Sequence, residues 1–203
     1  MNNNEEINNP IVTMKIKDYG TVKIELYPNV APNTVKNFIS LINEKYYDGL
    51  TFHRIIDGFM IQGGDKAGTG SGETDFTIPG EFLVNNYRND LKHTKGVISM
   101  ARADYAQWGK PTEGYNSAAT QFFIMLEDTT SLDGLYASFG KVTEGMDIIE
   151  KIGKVSTDAN DRPKKAVIIE SITVDTFGKD YGEPERLEPF DITSYVNQLY
   201  YGQ

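Results

Sequence analysis

The chain contains no cysteine, which excludes disulfides, thiol nucleophiles and thiolate metal sites and fits a reducing compartment. Histidine is nearly absent too: the only two, His53 and His93, lack metal-ligand spacing, and no motif ties a third strong ligand to either. No metal and no cofactor are expected. His53, between Phe52 and Arg54, reads as a structural histidine with its hydrogen bonds satisfied. Basic charge is in short supply, since 20 Lys and Arg against 29 Asp and Glu leave a net charge of -9. Neutralising phosphates requires a basic face, so neither nucleic acid nor an anionic membrane is an expected partner. No stretch approaches the ~20 apolar residues of a membrane span. The polar start Met1–Glu6 is not followed by the apolar segment of a secretory signal, and the cytoplasm is the expected location.

Reactive motifs are missing as well. Gly68-Thr69-Gly70-Ser71-Gly72 has no Gly-Lys-Ser/Thr ending and leads into no evident helix, so it reads as a flexible loop and not a phosphate cradle. Asp158–Arg162 begins like a calcium loop but lacks the glycine and the distal glutamate, which leaves a solvated turn. No Gly-x-Ser-x-Gly elbow exposes a serine nucleophile.

What is present is a foldable chain of 203 residues, with 39% hydrophobic and 24% charged residues, near globular values. One core is the simplest organisation. Val12, Met14 and Ile16, then Val22, Ile24 and Leu26, alternate with polar residues across Asp18-Tyr19-Gly20, the pattern of a β-hairpin with one buried face. From Pro32 the spacing of Val35, Phe38, Ile39 and Ile42 changes to that of a helix with proline in its first turn. Phe52–Ile56, Met60–Gln62, Val97–Ala101, Gln121–Leu126 and Val167–Val174 read as short strands, and Met146–Ile152 as a second helix. The expectation is a mainly β chain with two helices. Residues 1–10 form a polar lead, 104–115 an enlarged loop, and 177–203 a C-terminal extension with an apolar, aromatic end.

One run is hard to explain as ordinary core: Phe52-His53-Arg54-Ile55-Ile56-Asp57-Gly58-Phe59-Met60-Ile61-Gln62-Gly63-Gly64-Asp65. Further on come Gly96-Val97-Ile98-Ser99-Met100-Ala101, then Asn116-Ser117 and Gln121-Phe122-Phe123-Ile124. Last come Leu132-Asp133-Gly134, Phe139-Gly140-Lys141-Val142 and Glu144-Gly145-Met146. In content and order these blocks closely resemble the signature of the cyclophilin-type peptidyl-prolyl cis/trans isomerases, over roughly Ile11 to Asp175.

The resemblance implies a closed, eight-stranded antiparallel barrel capped by two helices, with its site on the outer surface and a domain spanning 11–176. It implies an enzyme that rotates X-Pro bonds in flexible or unfolded chains and assists their folding. Arg54, Phe59, Gln62 and Phe123 match catalytic positions: Arg54 donates hydrogen bonds around the prolyl amide, and Gln62 binds substrate and helps to hold the arginine. Phe59, Met60, Phe123 and Leu132 match the apolar seat of the proline ring. Ala101, Arg102, Ala103 and Gln121 match the wall along which the preceding peptide lies, and Tyr136 an accessory contact.

The sequence departs from the family pattern in places. Ser131 stands where many eukaryotic members carry tryptophan, a main contact for cyclosporin, so weak cyclosporin binding is expected. Arg102 and Tyr136 replace asparagine and histidine and resemble bacterial forms. Tyr105 and Trp108 in the enlarged loop are placed to contact residues flanking the proline. The extension has no counterpart in the resemblance; its bonds Glu183-Pro184 and Glu188-Pro189 raise the idea of docking into the chain's own site. A monomer is expected. The competing readings are a peptide clamp without turnover and a barrel holding a small ligand inside.

Overall fold

A computed structural model describes residues 8–202. Its frame is eight strands: β1 (Ile11–Ile16), β2 (Gly20–Leu26), β3 (Phe52–Ile56), β4 (Met60–Gly63), β5 (Val97–Met100), β6 (Phe122–Met125), β7 (Ser138–Glu144) and β8 (Ile169–Asp175). They form one antiparallel sheet in the order β3-β4-β6-β5-β7-β2-β1-β8. The sheet curls so far that its two edge strands approach. There Thr51 bridges Ile168, the Phe52 N–H donates to the Val167 carbonyl at 3.0 Å, and the Ile169 N–H donates to the Leu50 carbonyl at 2.8 Å. A curled half-barrel is thus the observed architecture; a continuous β3–β8 ladder is not part of it.

Side-chain alternation decides what the sheet encloses. Val12, Met14 and Ile16 of β1 and Val22, Ile24 and Leu26 of β2 all point inward and are buried, as period-2 patterning requires. The hairpin turns where expected, with Asp18 and Gly20 at positive φ. Inside the curled sheet, Phe38 packs against Tyr47, Phe122 and Phe139 at ring-centroid distances of 5.1–5.5 Å, so aromatic side chains fill the centre of the core.

The two expected helices are present as α1 (Pro32–Asn43) and α3 (Met146–Gly153). Two more were not anticipated: a short α2 (Pro111–Tyr115) inside the enlarged loop and α4 (Ile192–Tyr201) in the extension. The α1 N-terminus has no side-chain cap of its own, and the buried carboxylate of Glu81 serves instead. It accepts from the Asn33 N–H at 3.0 Å, the Thr34 N–H at 2.7 Å and the Thr34 hydroxyl at 2.6 Å. An anion there satisfies orphan donors and lies at the positive end of the helix dipole. From α1, Asn37 Nδ2 donates to the Ala119 carbonyl at 2.7 Å; after it, the Tyr47 hydroxyl donates to the Thr120 carbonyl at 2.9 Å. These bonds fix the segment that enters β6 and carries Gln121.

Where β4, β5 and β6 run side by side, both faces of the sheet are apolar. Ile61, Ile98, Met100, Phe122 and Ile124 join the main core. Their sequence neighbours Met60, Val97, Phe123 and Met125 form a second cluster on the outer face, with Phe59, Ala101, Leu132 and Tyr136 packed against it. An apolar patch on the outside of a sheet is unusual unless something covers or uses it.

Candidate active site

The outer cluster surrounds a cavity of about 230 Å³. Met60 of β4, paired with Met125, and Phe123 of β6, paired with Gln62, both line it, and Phe59 precedes Met60 in the β3–β4 turn. Leu132, from the turn Thr130–Leu132, and Tyr136 close the far side, while Arg54, Gln62, Ala101 and Arg102 complete the rim. Nine of the twelve site residues expected from the sequence therefore meet at one place. Gln121 and Ala103 line an adjoining groove of about 810 Å³, which shares Gln62, Ala101 and Arg102 with the cavity. Ser131 lines neither; it is exposed on its turn.

Arg54 is the residue of β3 that points to solvent, its neighbours His53 and Ile55 being buried. Its guanidinium keeps a loose pairing with Asp161, Nε to Oδ2 at 3.7 Å, both side chains being a little under half exposed. Such a pair contributes ~0–1 kcal/mol, so the guanidinium is held near the cavity mouth without being spent. Gln62 lies directly opposite Arg54 in the β3–β4 register, but its amide is engaged elsewhere: Nε2 donates to Gln121 Oε1 at 3.0 Å, and Gln121 Nε2 donates to the Gly70 carbonyl at 3.1 Å. Gln62 thereby ties the cavity rim to the groove wall.

Arg102 is fixed at the boundary between cavity and groove. Its Nε donates to the Leu135 carbonyl and its Nη1 to the Ala103 carbonyl, each at 2.9 Å. Its guanidinium carbon sits 4.7 Å from the Tyr136 ring centroid and 5.2 Å from that of Tyr115. This side chain is a strut, not a free donor.

Beneath the cavity His93 stacks on Phe123 with ring centroids 6.1 Å apart and 16° between planes. Its Nδ1 lies 3.1 Å from Asp133 Oδ1 and its Nε2 3.0 Å from Ser99 Oγ. An ionised carboxylate can only accept, so Nδ1 carries the proton and Nε2 accepts from the Ser99 hydroxyl. The three residues mimic the order of a hydrolytic triad, yet Ser99 is fully buried. They brace Phe123 from below.

The comparisons with known proteins agree with this geometry. Residues 11–174 match the family model described as cyclophilin type peptidyl-prolyl cis-trans isomerase/CLD. The chain belongs to that family. Its reaction is the cis-trans isomerisation of peptidyl-prolyl bonds. A peptidyl-prolyl cis-trans isomerase-like 1 from Rhizopus delemar is 47% identical over 144 residues, covering 70% of this chain and 80% of the relative. A peptidyl-prolyl cis-trans isomerase from Arabidopsis thaliana is 40% identical over 155 residues, covering 76% and 87%. The crystal structure of a Cryptosporidium parvum cyclophilin, determined in the presence of the dipeptide Ala-Pro, superposes with a TM-score of 0.70 at 32% identity. It covers 81% of this chain and 98% of that one.

Three other features of this cyclophilin bear on the motifs weighed in its sequence. The Gly68–Gly72 stretch wraps round the carboxylate of Asp65, which accepts from the backbone N–H groups of Ala67, Thr69, Gly70 and Gly72 at 2.6–3.3 Å. The donors a phosphate would need are taken by the chain itself. Burial pushes the Asp65 carboxyl up, but these donors outweigh it and hold its pKa below the ordinary value. Asp158 accepts from the N–H groups of Asn160 and Arg162, closing a surface turn. Among the described residues no three His, Asp or Glu side chains converge to hold a metal.

His53 is the clearest correction: it is buried, and among the described residues neither ring nitrogen makes a hydrogen bond of good geometry, the Gln121 side chain being only a weak partner. Burial pushes its pKa down, against the pull of Asp65 and with help from Arg162 and Arg54. Burial likewise lowers His93, against the pull of Asp133. The unfolded chain binds more protons than the native one below the ordinary value of 6.5, so stability rises with pH there. Stability from both histidines is complete above that value and is lost as pH falls through it towards the folded values. The thermal midpoint is expected to fall between about pH 7.5 and about pH 5.5, before the carboxylates respond. A flat or rising midpoint across that window contradicts the assignment.

Proposed function

We propose that the outer cavity seats the proline ring and that Arg54 donates hydrogen bonds to the twisting prolyl amide. The observation that carries this reading is a cavity on the outer face of the sheet with an apolar floor of Phe59, Met60, Phe123 and Leu132 and a polar rim, where a half-exposed guanidinium stands at the mouth. The barrier to rotation is ~18–20 kcal/mol because the twisted amide loses its resonance. As resonance fades the prolyl nitrogen becomes more basic, so a donor aimed at it binds the twisted state more tightly than either planar isomer, which is what lowers a barrier. A hundred-thousandfold acceleration needs about 7 kcal/mol, whereas one charged hydrogen bond contributes ~1.5–3 kcal/mol. The dry seat of Phe59, Met60, Phe123 and Leu132 supplies orientation for the remainder. The mechanism needs neither a base nor a nucleophile.

On this reading Ala101, Arg102, Ala103 and Gln121 border the path of the flanking peptide, residues 11–176 are the working domain, and the sheet closes into a barrel through Thr51 and Ile168. Flexible and unfolded chains are the natural substrates, and the protein works as a cytoplasmic monomer. The loosely paired Arg54 at the cavity mouth favours the enzyme over the peptide-clamp alternative. The deciding experiment is an isomerisation assay on a short X-Pro peptide: acceleration well above buffer is expected, and a rate equal to buffer overturns the proposal.

Ser131 carries a separate prediction. An exposed serine beside Leu132 offers a macrocyclic inhibitor no indole to pack on. Cyclosporin titration is expected to give weak binding with isomerisation retained, and nanomolar affinity contradicts this.

A further inference from the structure

The family match ends at residue 174, but the chain then runs back against the start of α1, the loop after β4 and the enlarged loop. Thr77 and Leu187 exchange backbone hydrogen bonds of 2.9 and 2.8 Å. Asn33 clamps Glu185, donating from Nδ2 to its carbonyl at 3.0 Å and accepting its N–H at 2.7 Å. The Arg186 guanidinium lies 3.9 Å from the Phe76 ring centroid. Beyond these anchors Phe190 packs on Tyr105 of the enlarged loop, and Trp108 of that loop packs on Tyr200 of α4. Asp191 caps α4 by accepting from the Ser194 N–H at 2.9 Å.

The consequence is a wall. Residues 189–193 and Tyr105 line the 810 Å³ groove together with Ala101, Ala103 and Gln121. A volume of that size suits a well-formed binding pocket. Because groove and cavity share Gln62, Ala101 and Arg102, a chain with its proline in the cavity enters the groove with its flanking residues. The extension's own prolines do not occupy the cavity: Pro189 lines the groove, and among the described residues none of the extension lines the cavity. The idea of self-docking is therefore corrected.

We propose that the C-terminal extension and the enlarged loop together form a specificity subsite, in which Phe190 and Tyr105 contact the residues flanking the proline in an extended peptide. The inference rests on the cavity being the proline seat. The extension thereby favours substrates long enough to fill the groove over minimal X-Pro units.

The test uses the full chain with Phe190→Ala and with Tyr105→Ala, assayed on a minimal blocked X-Pro peptide and on one extended by several residues on both sides. Emission of Trp108, the single tryptophan, monitors docking of α4. Each variant is expected to lower kcat/KM for the extended peptide about tenfold through KM, with the minimal peptide and Trp108 emission unchanged. Equal kinetics for parent and variants on both peptides overturn the subsite. So does equal acceleration on both, which would make the extension a lid. If a variant shifts Trp108 emission, Ile192→Ala serves as the second probe of the same wall, with the same expected and overturning results. A parent inactive on both peptides refutes the proline seat itself, a result distinct from failure of the subsite.

Discussion

Replacing Arg54 by alanine is expected to lower kcat/KM for X-Pro isomerisation by about 10²–10³, the range for removing one preorganised donor from a site where charge develops. Stability should barely change. The side chain is close to half exposed and its pairing with Asp161 is long, so its loss costs ~0–1 kcal/mol. Arg54→Lys keeps the charge but loses the planar fork of donors, and an intermediate rate is expected. Loss of activity together with unfolding would point to a structural arginine instead. Parent-like kinetics in the alanine variant would remove Arg54 from the mechanism.

The second large effect separates two adjacent phenylalanines. Phe122 points into the core between Phe38, Tyr47 and Phe52, whereas Phe123 floors the outer cavity between His93 and Tyr136. Both are buried, and truncating a buried phenylalanine costs ~3–5 kcal/mol. Phe122→Ala is expected near the top of that range, because its cavity is enclosed. At a temperature where the variant remains folded, its kcat/KM should stay close to the parent value. Phe123→Ala is expected near the bottom, since its cavity opens outward, but kcat/KM should fall by at least tenfold as the proline loses its floor. Chemical denaturation paired with the isomerisation assay checks both. Similar activity losses in the two folded variants would deny that the outer face is the working face.

These two residues also show how much of the molecule was legible in its sequence. The β1–β2 hairpin and α1 could be read from periodicity because each has one buried face. The run Phe122–Met125 is apolar on both faces, so alternation could not say which phenylalanine looks outward; the family resemblance placed Phe123, and the curl of the sheet explains it. Contacts that span the chain left no local trace. Arg54 with Asp161, Gln62 with Gln121, and Glu81 with the α1 N-terminus depend on how distant strands and loops come together. His53 misled because a histidine inside a strand pattern says nothing about partners, and here neither ring nitrogen makes a hydrogen bond of good geometry among the described residues. The aromatic end of the extension was visible as unusual, but it is residues 189–193 ahead of it that line the groove, and their placement depends on Asn33 and Thr77, more than a hundred residues earlier.

On the proposed mechanism the proline ring sits in the outer cavity while its amide twists under Arg54. The most direct measurement is proton exchange and transfer spectroscopy on a proline peptide at equilibrium with the protein. Cis-trans exchange peaks and ring contacts from the peptide proline to Phe123 and Phe59 are predicted, with the contacts retained and the exchange largely lost in Arg54→Ala. Proline contacts elsewhere on the protein, or exchange in Arg54→Ala at the parent rate, would contradict it.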